Sequence, residues 1–307
     1  MRRTNAAPNV FTRRTFCTSA LGLLAAGTSA VAQGPRRSNR GLVEPLYREA
    51  RAKTDIDRDD PANKHPLDPA LALAQDGLQN IRENVRDYSA TLVKRERIDG
   101  TIQDYEYMFT KIRNEKVVDE RVVTPFSVYL YFLKPEKLHG REVLYVSGEN
   151  DGKMIAHEPP NSLKGKFGSI WLKPDGALAM RGNRYPISEI GLETLVRRLI
   201  EKGNRDKRNG SPEECVVEFR QSAKINGCKC TLLRVTHPYP RDYYDFHVAE
   251  IFIDDARNVP LRYAAYQWPT RPNGAPELIE EYTYLNLKLN VGFTDEDFDY
   301  TNPSYNF

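Results

Sequence analysis

The sequence predicts an α+β fold that is mainly antiparallel β, and three observations predict it. About ten segments with period-two or continuously apolar sequence follow one another in hairpin order. Two-residue turn signals separate several of them, and only two segments carry the three- and four-residue spacing of an amphipathic helix. The order of elements suits helices laid on one face of an antiparallel meander, not alternating β-α-β units.

Ahead of these elements stands a segment of another kind. Thr12-Arg13-Arg14-Thr15-Phe16 sets paired arginines before an aromatic, Ala20–Ala26 is a short apolar run, and Ala30-Val31-Ala32 is a small-x-small cleavage site. Residues 1–32 thus read as a twin-arginine-type signal peptide directing export to the periplasm or cell envelope. The apolar run is too short for the ~30 Å of a bilayer core, so the mature chain is expected to lack a transmembrane segment. Residues 1–33 hold four arginines and no acid, and without them the formal charge moves from +3 to −1. That removes the basic excess a nucleic-acid partner requires. Residues 33–66 are rich in Arg, Asp, Pro and Asn without apolar periodicity, and read as a disordered linker.

A single domain over residues 67–307 is expected. Asp68 as N-cap and Pro69 as first helical residue open a helix whose stripe is Leu71, Ala74, Leu78, Ile81 and Val85, ending near Asp87. Strands follow at Tyr88–Ile98 and Ile102–Ile112, joined by the hairpin signal Asp99-Gly100. Phe126–Leu133, apolar on both faces, reads as a strand covered on both sides. Glu142–Ser147 and Lys153–His157 flank the Asn150-Asp151-Gly152 turn. A second helix opens at Ser188-Glu189, runs its stripe through Ile190, Leu192, Leu195, Val196, Leu199 and Ile200, and is expected to end at Gly203. Glu214–Gln221, Cys228–Thr236, Val248–Ile253, Leu261–Gln267 and Leu278–Leu289 complete the strands, with Asn226-Gly227 turning the first pair. The Gly- and Lys-rich stretch from Lys164 to Gly182 reads as a surface loop.

After the signal peptide three cysteines remain, Cys215, Cys228 and Cys230. An odd number leaves one thiol unpaired or pairs it between chains. A Cys228–Cys230 ring is strained, a bridge from Cys215 to either is easier, and packed free cysteines are the plainest reading; the sequence leaves the pairing open.

Several segments taken together carry a family resemblance. They are Tyr88-Ser89-Ala90-Thr91-Leu92, Val128-Tyr129-Leu130-Tyr131-Phe132-Leu133-Lys134-Pro135, Gly140-Arg141-Glu142-Val143-Leu144-Tyr145-Val146, Asn150-Asp151-Gly152-Lys153, Glu250-Ile251-Phe252-Ile253-Asp254 and Val259-Pro260-Leu261-Arg262. From Leu67 to Phe298 the chain resembles an uncharacterised family of secreted bacterial domains best represented in planctomycetes. That family is itself similar to the periplasmic lipoprotein-carrier, or outer-membrane lipoprotein-sorting, superfamily. The resemblance implies a curved, unclosed half-barrel with helices in its concave face and space between them for acyl chains. Arg95 or Arg97 on the first strand compares with a carrier's cavity arginine, and no carrier-specific binding residue transfers residue by residue.

The aromatic inventory, 17 Tyr, 12 Phe and 2 Trp, suggests the lining of such a cavity. The candidates are Tyr88, Tyr107, Phe109, Tyr129, Tyr131, Trp171, Phe219, Trp268, Tyr282 and Tyr284; the plain alternative is that these rings are core. His237, Asp242, Asp245 and His247 are chemically suited to a transition metal, although their spacing matches no known motif and the segment reads as a Pro-bounded loop. His139 and His157-Glu158 lack a guaranteed acid–base partner, and no hydrolase, zinc-protease, P-loop or dinucleotide motif occurs. The expected function is non-enzymatic binding of an acyl chain, lipid or lipoprotein segment without a cofactor. The alternatives are a cell-envelope structural or interaction module, and a metal-assisted enzyme using His237 and His247. The sequence does not set the oligomeric state.

Overall fold

The structure is a computed structural model that describes residues 65–159, 168–271 and 273–307, together with the backbone of residues 47–48 and 52–54. The expected signal peptide and most of the expected linker lie outside the described residues.

In chain order the elements are β1 (Tyr47–Arg48), β2 (Ala52–Thr54), α1 (Asp68–Asn84), β3 (Asp87–Ile98), β4 (Thr101–Ile102), β5 (Glu106–Arg113), β6 (Lys116–Val118), β7 (Arg121–Thr124), β8 (Ser127–Lys134), β9 (Glu142–Val146), β10 (Met154–His157) and β11 (Ile170–Leu172). Then come α2 (Leu192–Asn209), β12 (Val216–Ile225), β13 (Cys228–Thr236), β14 (Val248–Asp254), β15 (Pro260–Gln267) and β16 (Glu277–Leu289). All described strand pairs are antiparallel, and fourteen strands form one sheet with the path β1-β12-β13-β14-β15-β16-β3-β5-β8-β9-β10-β11. Its two ends do not pair, so this is a curved, unclosed half-barrel. Register shifts in five of its strand pairs bend the strands locally. Within the segment expected as linker, β1 and β2 pair with β12 at the sheet edge.

The turn chemistry holds where the sequence placed it. Asp99-Gly100 and Asn226-Gly227 both take positive φ at the two central positions, the left-handed geometry a two-residue hairpin needs. Asp99-Gly100, however, closes only the short β3–β4 pair, and the long partner strand starts at Glu106, past the expected Ile102. The β6–β7 hairpin stands apart from the main sheet and was not anticipated.

Both helices pack on one face of the sheet and run antiparallel to each other. Asp68 at the start of α1 pairs with Lys207 near the end of α2, while Arg82 near the end of α1 pairs with Glu193 at the start of α2 at 2.8 Å. The helix α2 continues six residues past Gly203, contrary to expectation. A β-carbon at Gly203 would lie 2.9 Å from Leu71 Cδ2 of α1, so this glycine marks a close helix–helix approach and not a helix end. The N-terminus of α2 is fixed from the sheet, because the buried Tyr88 hydroxyl accepts the Leu192 backbone N–H at 2.8 Å.

Between helices and sheet lies the main core, built from Ile81, Val85, Tyr88, Leu92, Met108, Ile112, Val128, Leu130, Leu192 and Val196 among others. The opposite face of β8, β9 and β10 carries a second apolar layer, Tyr129, Leu144, Val146 and Ile155, covered by Phe293, Phe298, Tyr305 and Phe307 of the C-terminal segment. That cover explains why β8 is apolar on both faces.

Candidate ligand cavity

Side-chain alternation selects what faces the helices. On β3 these are Tyr88, Ala90, Leu92, Lys94 and Glu96; on β5 Met108, on β8 Leu130 and Phe132, on β9 Val143, on β10 Met154 and Ala156, and on β16 Glu280, Tyr282 and Tyr284. Over this face the strands, the 168–191 connection and α2 enclose a cavity of about 490 Å³. That volume falls in the range of small-molecule sites.

The cavity has two unlike ends. Leu92, Met108, Leu130, Phe132, Val143, Met154, Ala156, Ile170 and Leu172 make the floor toward β10 and β11 apolar, with Pro174, Leu178 and Ala179 above them. Leu195 and Leu199 of α2 form part of the roof. Toward β15 and β16 the lining turns polar. Glu96 and Glu280 sit directly opposite each other on neighbouring strands, 4% and 2% exposed. Two like charges in that position repel unless compensated. Lys94 lies 3.5 Å from Glu96 and 3.0 Å from Glu106, and Arg184 Nε donates to Glu280 at 3.1 Å. Three phenols complete the compensation: Tyr282 donates to Glu96 at 2.5 Å, and Tyr185 and Tyr263 donate to Glu280 at 3.2 and 3.3 Å. Burial first, then the neighbouring carboxylates, pushes the Tyr185 hydroxyl up to about 12 and the Tyr263 and Tyr282 hydroxyls well above their ordinary value, so all three stay neutral donors.

Of the ten aromatic residues singled out from sequence, Tyr282 and Tyr284 line this cavity. Tyr88 lies on the same face but is spent on the α2 N-terminus. Tyr107, Phe109, Tyr129 and Tyr131 point to the opposite face, where Tyr129 stacks on Tyr305 at 4.2 Å. Trp171 is on the outer side of β11 against Tyr300, Phe219 packs at the edge of the cluster around Leu233 and Ile251, and Trp268 donates to the His237 carbonyl at 3.0 Å. Arg95 and Arg97 fall outside the lining; Arg95 lies over the Tyr105 ring and donates to the Gln103 carbonyl, and Arg97 donates to the Leu278 and Gly100 carbonyls. The residues missed were Lys94, Glu96, Tyr185, Tyr263 and Glu280. Lys94 and Glu96 carried a signal, charge continuing the parity of Tyr88, Ala90 and Leu92 on an otherwise buried face, whereas Tyr185, Tyr263 and Glu280 carried none.

His237 and His247 are neighbours, as the 237–247 loop suggested, and both are engaged in packing. His237 is fully buried, stacks on Tyr244 at 3.8 Å, and its Nδ1 lies 3.2 Å from the Phe246 carbonyl; His247 Nδ1 lies 2.8 Å from the His237 carbonyl. Asp245 pairs with Lys202 and Arg205 of α2. Among the described residues no group of three or more His, Cys, Asp or Glu side chains is arranged to hold a metal. Cys215, Cys228 and Cys230 are all free, and burial pushes the Cys215 and Cys230 thiols up to about 12. No helix among the described residues is long and apolar enough to cross a membrane.

Fold and cavity together define a class: an unclosed antiparallel half-barrel whose helix-covered face holds an apolar space with one polar end. The chain belongs to DUF1571, a protein family of unknown function, whose sequence profile matches residues 85–307. No curated protein matches it. It is similar to several solved structures. Lipoprotein LppX from Mycobacterium tuberculosis shares 14% identity at a TM-score of 0.38, covering 76% of this chain and 100% of the other. A putative outer membrane lipoprotein-sorting protein domain from Vibrio parahaemolyticus shares 14% identity at 0.34, covering 75% and 95%. A DUF1329 family protein from Desulfovibrio piger shares 15% at 0.35, covering 77% and 98%.

Proposed function

We propose that this protein is an exported, non-enzymatic binding protein that holds the apolar chain of a lipid, acyl group or lipoprotein segment between its sheet and α2. The cavity carries the reading: about 490 Å³ with a continuous apolar floor, partly roofed by α2 and the 168–191 connection. Removing an acyl chain from water into such a floor is favourable by about 25 cal/mol per Å² of apolar surface. The twin-arginine-type leader read from residues 1–32 supports a periplasmic or envelope location, where such ligands need shielding from water.

The test is a fluorescent apolar probe, N-phenylnaphthylamine, titrated into the protein and into Leu130→Trp. Leu130 sits in the middle of the floor, so the indole fills the space a chain would take. Probe affinity should fall by about tenfold or more in the variant, equivalent to ~1.4 kcal/mol. Equal affinity for both proteins would mean the probe binds elsewhere and the cavity reading fails.

One observation favours a second reading, an envelope interaction module. The detached β6–β7 hairpin exposes Val117, Val118, Val122 and Val123, each more than 40% accessible. If that hairpin is the working surface, replacing the four valines by threonine abolishes partner capture and leaves probe binding unchanged.

A further inference from the structure

From the hydrogen-bond balance of the polar end we infer that the cavity selects amphiphiles whose head group donates hydrogen bonds, a hydroxyl-bearing or amine-bearing head, over those ending in a carboxylate or phosphate. The inference rests on the cavity reading above and names the ligand class for it.

The donors beside Glu96 and Glu280 are already committed, and the α2 cations of the lining, Arg198 and Lys202, are paired with Glu189 and Asp245. Lys94 directs its ammonium to Asn183 Oδ1, Glu96 and Glu106, which matches its three protons. Each of Tyr185, Tyr263 and Tyr282 has a single hydroxyl proton, given to Glu280 or Glu96. Arg184 is turned to Glu280, to the Arg97 carbonyl and to the Tyr185 oxygen. Acceptors remain in surplus. The Tyr263 and Tyr282 oxygens accept from no donor among the described residues, and Glu96 Oε1 accepts from Tyr282 alone. A head group arriving here meets lone pairs. A hydroxyl or ammonium satisfies them, whereas a carboxylate or phosphate sets acceptor against acceptor beside two buried carboxylates. The apolar floor runs away from this end toward β10 and β11, where the lining also carries the Arg141–Glu158 ion pair, already closed on itself at 2.8 Å.

The experiment compares glycerol monolaurate, laurylamine and laurate, which share one chain, by calorimetric titration into the purified protein near neutral pH. Glycerol monolaurate and laurylamine should bind at least about tenfold more tightly than laurate, the penalty expected for an unsatisfied buried acceptor. Glu96→Gln, and independently Glu280→Gln, each exchange a carboxylate oxygen for an amide donor and should shrink that preference toward unity. Using both variants guards against one of them misfolding. Laurate binding as tightly as the other two would overturn the inference and leave the cavity reading standing, with Arg198 and Lys202 of α2 as the head-group partners. If none of the three binds, the cavity reading itself falls.

Discussion

Tyr88 and Gly191 form a contact on which the placement of α2 depends. The Tyr88 hydroxyl is 2.8 Å from the Leu192 nitrogen, and Gly191 holds φ at +118° immediately before the helix. A β-carbon at 191 would meet the hydroxyl at 2.9 Å and would sit on a backbone that side-chain-bearing residues rarely adopt. Gly191→Ala should therefore cost about 1–3 kcal/mol in denaturant unfolding. A second buried pair joins the other end of α2 to the 237–247 loop, with Asp206 Oδ2 3.7 Å from His237 Nε2 and both side chains almost fully enclosed. Burial raises the Asp206 carboxyl from 3.8 to about 6 and lowers the His237 imidazole from 6.5 to about 4. A raised carboxyl binds its proton more tightly in the folded state, so its contribution is full below pH about 4 and is lost as pH rises through about 6. The histidine runs the other way: its contribution is full above its ordinary 6.5 and is lost as pH falls through about 4. The two largely cancel in the native protein. Asp206→Asn mimics the protonated acid, so unfolding at pH about 7 should show a gain of up to about 3 kcal/mol that vanishes near pH 4. An equal change at both pH values would contradict this account of the pair.

At the scale of elements, what the sequence made legible was what repeats or turns. The stripe of α1, the Asp99-Gly100 and Asn226-Gly227 turns and the strand order all follow from spacing and local backbone chemistry. Face assignment did not follow. Phe126–Leu133 is apolar on both faces, so its alternation gives no sign of which parity meets the helices, and Leu130 and Phe132 face the cavity in place of Tyr129 and Tyr131. The information lies far away in sequence, in the C-terminal aromatics that cover the outer face. Gly203 is a similar case, since a helix-terminating glycine and a helix-crossing glycine look alike until the partner helix is known. The C-terminal cover is itself testable. Phe298 is 4% exposed and beneath it lie Tyr129, Leu144, Val146 and Ile155. Phe298→Ala should lose about 3–5 kcal/mol, with the loss read in equilibrium unfolding while probe binding in the cavity persists.

For the whole molecule, the central relation is between an open sheet and the helices that cover it. Closing a sheet of this width into a barrel would remove the edges; leaving it open lets α1 and α2 occupy the concave face and sets a space beneath α2 that the core does not fill. The antiparallel meander with helices on one face was legible from strand count and order, and its half-barrel form from the family resemblance, but the cavity's polar end was not. Glu96 and Glu280 meet only through register, and Tyr263 and Tyr185 reach Glu280 from β15 and from the 168–191 connection. The most direct test of the account is native mass spectrometry of the protein purified without detergent from the cells that make it, followed by solvent extraction. A bound mass that extracts as a lipid or acylated species, and is lost in Leu130→Trp, is the predicted result. A bare protein mass across repeated preparations, or a ligand retained unchanged by Leu130→Trp, would contradict it.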